Sequence, residues 1–156
     1  MKTLIIYYSL KGNTALIAGH LKSSLEADVF EIKLENDKKR RGFFWALSQT
    51  IKNKRPVVKP FTMNMENYDL IIFGTPVWAD SPSAVLLSFI EREKITGKKA
   101  ALFCCHAGGY GKALEKLKAA LPGNTFTGEI DFTRVSKIKP DELKQKVEDW
   151  AKTLRQ

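Results

Sequence analysis

Apolar positions follow two different patterns along the chain. Residues 4–8, 70–73 and 100–105 are short runs that are apolar on both alternating faces. Such runs are typical of parallel strands that helices cover on both sides. Residues 29–34 and 125–132 are weaker strand candidates. The pattern therefore predicts five strands.

Between and after these runs, apolar residues recur at helical spacing. The four stripes are Leu16, Ile17, Leu21 and Leu25; Val85, Leu86, Phe89 and Ile90; Leu114, Leu117 and Leu121; and Leu143, Val147, Trp150 and Leu154. Strands that alternate with helices predict an open α/β sheet with right-handed crossovers. A chain of 156 residues that is 44% hydrophobic has the usual size of one domain, so we expect a single domain over residues 1–156.

Residues 38–55 combine positive charge with aromatic side chains. The chain carries a net charge of +9, and residues 37–59 contain eight Lys or Arg but one acid, Asp37. Phe44, Leu47 and Ile51 share a helical face, which predicts a second helix with this face against the sheet. Alternatively, the segment is a docking surface for an acidic redox protein, an anionic lipid headgroup or a negatively charged substrate, with Phe43 or Trp45 partly exposed.

Three turn-rich segments follow the three strongest strands. They are residues 8–14 (YSLKGNT), 75–82 (TPVWADSP) and 106–111 (HAGGYG). Open α/β sheets bind ligands beyond the carboxyl ends of their strands, where the strand order reverses. We therefore expect these segments to converge on one site.

The first segment has the composition of an anion site. Ser9 and Thr14 offer hydroxyls, Gly12 permits close backbone approach, and the following helix begins with free amides. A monophosphate fits best, because neither G-x-x-x-x-G-K-[ST] nor G-x-G-x-x-G is present. An ordinary turn in which Ser9 or Asn13 caps the helix would use the same residues.

The other two segments each carry an aromatic residue. Trp78 and Tyr110 could stack on a flat ligand or cover the core. His106 could donate a proton to such a ligand or be structural. Asp80 could lie near the ligand or cap the third helix, although Ser81-Pro82-Ser83 also has the composition of a helix start.

These motifs resemble those of the flavodoxin family, the small electron carriers that bind FMN. YSLKGNT resembles the phosphate loop of the family, and T-P-V-W-A-D resembles the loop over one face of the isoalloxazine ring. C-C-H-A-G-G-Y-G takes the place of the loop at the other face. The likeness extends over the whole chain.

The resemblance implies a flavodoxin-like three-layer sandwich with a five-stranded parallel sheet of order 2-1-3-4-5. FMN would bind noncovalently at the carboxyl edge. The implied contacts to the phosphate are Ser9, Lys11, Gly12, Asn13 and Thr14, and those to the ring are Thr75, Pro76, Val77, Trp78, Ala79, His106, Ala107, Gly108, Gly109 and Tyr110.

Two departures from the family pattern bear on function. Many flavodoxins have glycine where this chain has Ala79, and a left-handed backbone costs a non-glycine residue about 1–2 kcal/mol. In such flavodoxins, the peptide after the ring-stacking residue reorients to hydrogen-bond N5 of the reduced flavin, which stabilises the one-electron state. The resemblance therefore implies that Ala79 weakens this stabilisation and favours two-electron chemistry, which does not need it. Flavodoxins are typically acidic, whereas this chain is basic, which predicts acidic partners.

The resemblance thus implies an electron carrier, with an FMN-dependent NAD(P)H or quinone reductase as the alternative. A receiver domain would need acidic residues where the chain has Tyr8-Ser9 and Thr75-Pro76, and a nucleic-acid module leaves the three loops unexplained.

We expect a monomer or weak dimer. We expect neither a membrane segment nor a signal peptide, and therefore a cytoplasmic protein. Adjacent Cys104 and Cys105 predict buried thiols and no metal site.

Overall fold

Parallel strands and the helices between them determine where the three turn-rich segments lie. A computed structural model describes residues 1–36 and 42–156. The strands are β1 (Thr3–Tyr7), β2 (Asp28–Glu31), β3 (Leu70–Trp78), β4 (Ser81–Pro82), β5 (Lys99–His106) and β6 (Thr125–Thr133). The α-helices are α1 (Asn13–Leu25), α2 (Phe43–Ile51), α3 (Ala84–Glu93), α4 (Ala113–Ala119) and α5 (Pro140–Thr153). Short 3₁₀ helices cover Met65–Asn67 and Val135–Lys137.

The five long strands are parallel and pair in the order β2-β1-β3-β5-β6. β4 is a two-residue strand that pairs antiparallel with the end of β3. Without β4, the order is the predicted 2-1-3-4-5, so the predicted fold class is confirmed.

Side chains from alternating positions of the strands enter two separate cores. Leu4 and Ile6 of β1 pack on the side that carries α3 and α4, whereas Ile5 and Tyr7 pack on the side of α1 and α5. This alternation explains why the strand runs are apolar at every position. The stripes predicted for α3, α4 and α5 are buried.

Two predicted boundaries or faces are wrong. The third strand does not end at Phe73 but continues to Trp78, because residues 74–76 pair with β5 and the last two residues pair with β4. In α1, Ile17, Leu21 and Leu25 are buried, but Leu16 is exposed. Leu16 lies about 100° around the helix from Ile17 and therefore leaves the face that meets the sheet.

The buried face of α2 also differs from the predicted one. Ala46 is buried, Leu47 and Thr50 are half-buried, and Ile51 is exposed. The side chain of Phe44 is 84% exposed. The helix packs on the core through Trp45, Ala46 and Leu47 instead of positions 44, 47 and 51. Residues 38–41 of the predicted docking segment lie outside the described residues.

Both cysteines are buried free thiols, as predicted. Burial raises the pKa of Cys104 well above its ordinary value of 9.0, and the neighbouring Cys105 raises it further.

In residues 1–36 and 42–156, no helix combines the length and apolarity needed to cross a bilayer.

Candidate functional site

One cleft of about 670 Å³ lies at the carboxyl edge of the sheet, where the three predicted segments meet. Its lining includes most of the predicted site residues: Ser9, Lys11, Asn13, Thr14, Pro76, Val77, Trp78, Ala79, His106, Ala107, Gly108 and Gly109. β1 and β3 are neighbours here although their following helices leave on opposite faces. The cleft therefore lies at the point where the strand order reverses, as expected for an open α/β sheet.

The turn between β1 and α1 forms the polar end of the cleft. Ser9 Oγ accepts hydrogen bonds from the Gly12 and Ala15 amides, each at 3.2 Å, and so holds the turn that leads into α1. Gly12, the N-cap residue, has a φ of 93°, a left-handed conformation that glycine adopts without strain. Asn13 and Thr14 of the first turn of α1 line the cleft, and a helix N-terminus with unpaired amides is the usual geometry for binding an anion.

Lys11 adds a positive charge at the same end. Its Nζ lies 5.2 Å from the centre of the Phe43 ring, a cation–π distance. Lys11 is therefore held beside the cleft by α2. This contact links the anion-binding turn to an aromatic residue of the basic segment.

The end of β3 forms the second wall of the cleft. β3 and β4 are joined by the two residues Ala79 and Asp80, whose φ angles are 48° and 54°. Two consecutive positive φ angles define a type I′ hairpin turn, which matches the twist of the two strands. Ala79 thus already has the left-handed backbone conformation whose energetic cost was expected to disfavour it. Asp80 lies in this turn and lines the cleft, whereas Ser83 caps α3.

Trp78 is held between two aromatic neighbours. Its ring centre lies 6.2 Å from that of Tyr8 and 6.5 Å from that of Phe43, with interplanar angles of 76° and 77°. These edge-to-face contacts leave the Trp78 side chain 8% exposed, compared with 37% for Phe43. Trp78 is therefore a fixed part of the cleft wall, and Phe43 is the more accessible ring.

The loop after β5 is held by His106. The Gly109 amide donates to His106 Nδ1 at 2.9 Å, so this nitrogen carries no proton. His106 Nε2 then carries the proton and lies 2.7 Å from Asp131 Oδ2, to which it donates. Both ring nitrogens are engaged in positioning the loop, which agrees with the structural interpretation of this histidine.

Three predicted site residues lie outside the lining of the cleft. Gly12 belongs to the anion-binding turn but does not line the cleft. Thr75 is buried, and its hydroxyl accepts a hydrogen bond from the Ser83 amide at 2.9 Å. The ring of Tyr110 packs against His106, 5.5 Å between centres.

Sequence reasoning missed a fourth segment of the cleft, which follows β6. Residues 134–137 line the cleft together with Leu10, Leu47, Asp80 and Cys105. The predicted strand order contained the signal for this segment, because the carboxyl end of the last strand reaches the same edge of the sheet. The segment was overlooked because it lacks glycine and aromatic residues.

The charged side chains that line the described cleft are mainly positive: Lys11, Arg134 and Lys137, against the single acid Asp80. Cys105 contributes no charge at neutral pH. Burial raises the pKa of its thiol from 9.0 to about 12, although a hydrogen bond with Thr14 and the charge of Lys146 lower it in part. The cleft therefore favours anionic ligands.

Comparisons with known proteins agree with this geometry. The flavodoxin family model matches residues 2–150. A flavoprotein from Lactobacillus acidophilus NCFM, crystallised in complex with FMN, is 25% identical, with a TM-score of 0.74 over 96% of this chain and 98% of that one. Two-electron reduced flavodoxin from Megasphaera elsdenii is 21% identical, with a TM-score of 0.60 over 96% and 98%.

A flavodoxin-type WrbA-like protein from Agrobacterium tumefaciens is 18% identical, with a TM-score of 0.61 over 99% of this chain and 97% of that one. No protein of curated function matches the chain by sequence. The family match covers nearly the whole chain and includes all three loops of the cleft. The chain belongs to the flavodoxin family.

Proposed function

We propose that the chain binds FMN in this cleft and carries electrons between redox partner proteins. The observation that supports this function is the convergence of three loops on one cleft: the anion-binding turn after β1, the aromatic wall at the end of β3, and the glycine-containing loop after β5. The solved flavoprotein from Lactobacillus acidophilus, 25% identical, contains FMN.

The residues present fit FMN. The first turn of α1, the hydroxyls of Ser9 and Thr14, and the charge of Lys11 suit a dianionic phosphate. The volume of about 670 Å³ is in the range of cofactor sites.

At the other end of the cleft, the backbone of Gly108 and Gly109 is open to a ring edge, since a Cβ at either position would meet no atom within 4 Å. The Trp78–Phe43 wall is aromatic. Bound FMN supplies the redox chemistry, and the chain orients it and sets its electrostatic environment.

The positive charge of the chain bears on the partner. The net charge is +9, and the charged groups lining the cleft are mainly cationic. A protein partner that approaches this edge is therefore expected to be acidic.

A reductase that uses NAD(P)H or a quinone is the second candidate. The cleft continues beyond the predicted FMN contacts to Phe43 and Leu47. This apolar surface gives a flat second substrate, such as a nicotinamide or quinone ring, a place to contact. The Ala79 turn does not distinguish the two functions, because its left-handed conformation is already in place.

Titration of the purified protein with FMN, followed by flavin fluorescence, tests cofactor binding. We expect saturable quenching, a large loss of affinity in Trp78→Ala, and little loss in Tyr110→Ala, whose ring lies outside the cleft. Absence of quenching by a folded sample would exclude the proposed function.

Anaerobic addition of NADPH or NADH then separates the two candidates. Bleaching of the bound flavin supports the reductase, and no bleaching supports the carrier.

A further inference from the structure

The turn after β6 forms a second cationic end of the cleft. Ser9 and Lys11 lie at one end, and Arg134 and Lys137 line the other wall. FMN has a single phosphate, which the first turn of α1 suits. The charge of the turn after β6 is therefore available to another part of the ligand.

Arg134 is held in place by the loop after β5. Its amide donates to the His106 carbonyl at 2.7 Å, and its Nε donates to the Ala107 carbonyl at 2.9 Å. No other described residue accepts a hydrogen bond from its terminal amino groups. The guanidinium is therefore fixed through one nitrogen and keeps the donors of the other two.

The backbone of Arg134 supports the same conclusion. Its φ of 47° is a left-handed conformation, which costs a residue with a side chain about 1–2 kcal/mol. Val135, which follows it, is buried and anchors the turn. Strained residues of this kind cluster at functional sites. Here the conformation directs Arg134 towards the loop that carries Gly108 and Gly109.

We propose that Arg134 is an electrostatic site for the negatively charged ring of reduced FMN; this inference rests on the proposed function. If FMN bound here took up two electrons from a redox partner and one proton from water, its ring would carry one negative charge. The guanidinium beside Ala107 would stabilise that charge, whereas the oxidised ring has none to stabilise. Arg134 thus raises the affinity for reduced FMN over oxidised FMN, and with it the midpoint potential.

The test compares Arg134→Gln with Arg134→Lys and Lys139→Gln. For each variant, the affinity for oxidised FMN is measured first, and the midpoint potential of the bound flavin is then measured with dithionite against a reference dye. We expect Arg134→Gln to lose at least tenfold in the preference for reduced FMN, which lowers the two-electron potential by about 30 mV. Arg134→Lys keeps the charge and should lose much less.

Lys139→Gln removes an exposed charge just after the same turn, outside the lining of the cleft, and should leave the potential near the wild-type value. An unchanged potential in Arg134→Gln, or an equal loss in Lys139→Gln, would overturn the inference while leaving FMN binding intact. Failure of the wild-type chain to bind FMN would instead refute the proposed function.

A second measurement needs no variant. The slope of the midpoint potential against pH halves where reduction changes from uptake of two protons to uptake of one. We expect this change at a lower pH for bound than for free FMN measured in parallel. A change at the same or a higher pH would contradict a site that stabilises the anionic ring.

Discussion

Gly74 makes room for an aromatic ring in the middle of the sheet. It pairs with Tyr7 of β1 and Phe103 of β5, and a Cβ at this position would overlap the Phe103 ring. We predict that Gly74→Ala lowers the free energy of unfolding by about 1–3 kcal/mol, as for other overpacked cores. Urea denaturation followed by circular dichroism measures the change.

Gly19 of α1 provides the matched control. It is exposed, and a Cβ there would meet no atom within 4 Å. Gly19→Ala should therefore raise stability by about 1 kcal/mol through helix propensity. In the Gly74→Ala background, Phe103→Leu should recover part of the loss. Equal effects of the two glycine substitutions would show that Phe103 does not restrict position 74.

Cys105 gives stability a dependence on alkaline pH. Burial raises the pKa of its thiol to about 12 in the folded chain, above the ordinary value of 9.0 expected after unfolding. Its contribution is therefore fully present below pH 9 and is lost as the pH rises towards 12, since the unfolded chain ionises first. Tyr7 and Tyr68 add to this loss, because burial raises both of their pKa values.

The measurement is the free energy of unfolding in urea at pH 8 and at pH 10.5 under reducing conditions. We predict a smaller fall between these pH values for Cys105→Ala than for the wild-type chain. The same fall in both proteins would show that the thiol of Cys105 ionises as readily when folded as when unfolded.

At the scale of elements, α3 depends on a short chain of hydrogen bonds from β3. Thr75 Oγ1 accepts from the Ser83 amide at 2.9 Å, and Ser83 Oγ accepts from the Leu86 amide at 3.1 Å. We predict that Ser83→Ala costs about 1 kcal/mol, the usual effect of losing an N-cap. Chemical denaturation measures the cost.

Ser88 in the same helix is the internal comparison. Its buried hydroxyl has no hydrogen-bond partner among the described residues. Ser88→Ala should therefore maintain or increase stability, because alanine favours the helix and removes a buried polar group. A loss of stability as large as that of Ser83→Ala would mean that the capping bond contributes nothing specific.

The elements also show which features of the fold are readable from sequence. The apolar stripes of α3 and α5 are separated by polar residues, so only one orientation of each helix buries its stripe. The buried faces of these two helices were therefore predictable. The run F-F-W-A-L of α2 is apolar almost all round, so periodicity could not decide which side meets the sheet. The extension of β3 to Trp78 depends on the hairpin with β4, and Ala79-Asp80 lacks the Asn-Gly composition that marks such turns.

At the scale of the whole molecule, the site was predictable where its chemistry is local. Glycines, hydroxyls and aromatic residues marked the three loops, and strand order brought them together. Arg134 and Lys137 were missed, because their position depends on how the end of β6 lies beside the loop after β5. A single basic residue carries no sequence signal that distinguishes a cofactor contact from the solvated surface.

The distribution of charge and exposed apolar surface leads to a prediction about partners. Phe44 is 84% exposed beside Phe43, which lines the cleft, and residues 37–59 carry eight basic residues and one acid. An acidic protein that contacts Phe44 would also be attracted by this charge. We therefore predict that the reduced, FMN-loaded chain transfers electrons faster to an acidic haem protein than to a basic one of similar potential.

Stopped-flow absorbance at increasing salt measures both rates. The rate with the acidic protein should fall steeply between about 0.01 and 0.5 M salt, because the screening length shortens from about 30 Å to a few ångströms. The rate with the basic protein should stay level or rise.

Phe44→Ser should slow transfer to the acidic protein without changing FMN affinity or stability, because its ring is exposed. Leu16→Ser, which removes an exposed apolar side chain from α1, should leave the rate unchanged. If the basic haem protein proves the faster acceptor at low salt, the charge of residues 37–59 does not guide docking, and transfer must use a different surface.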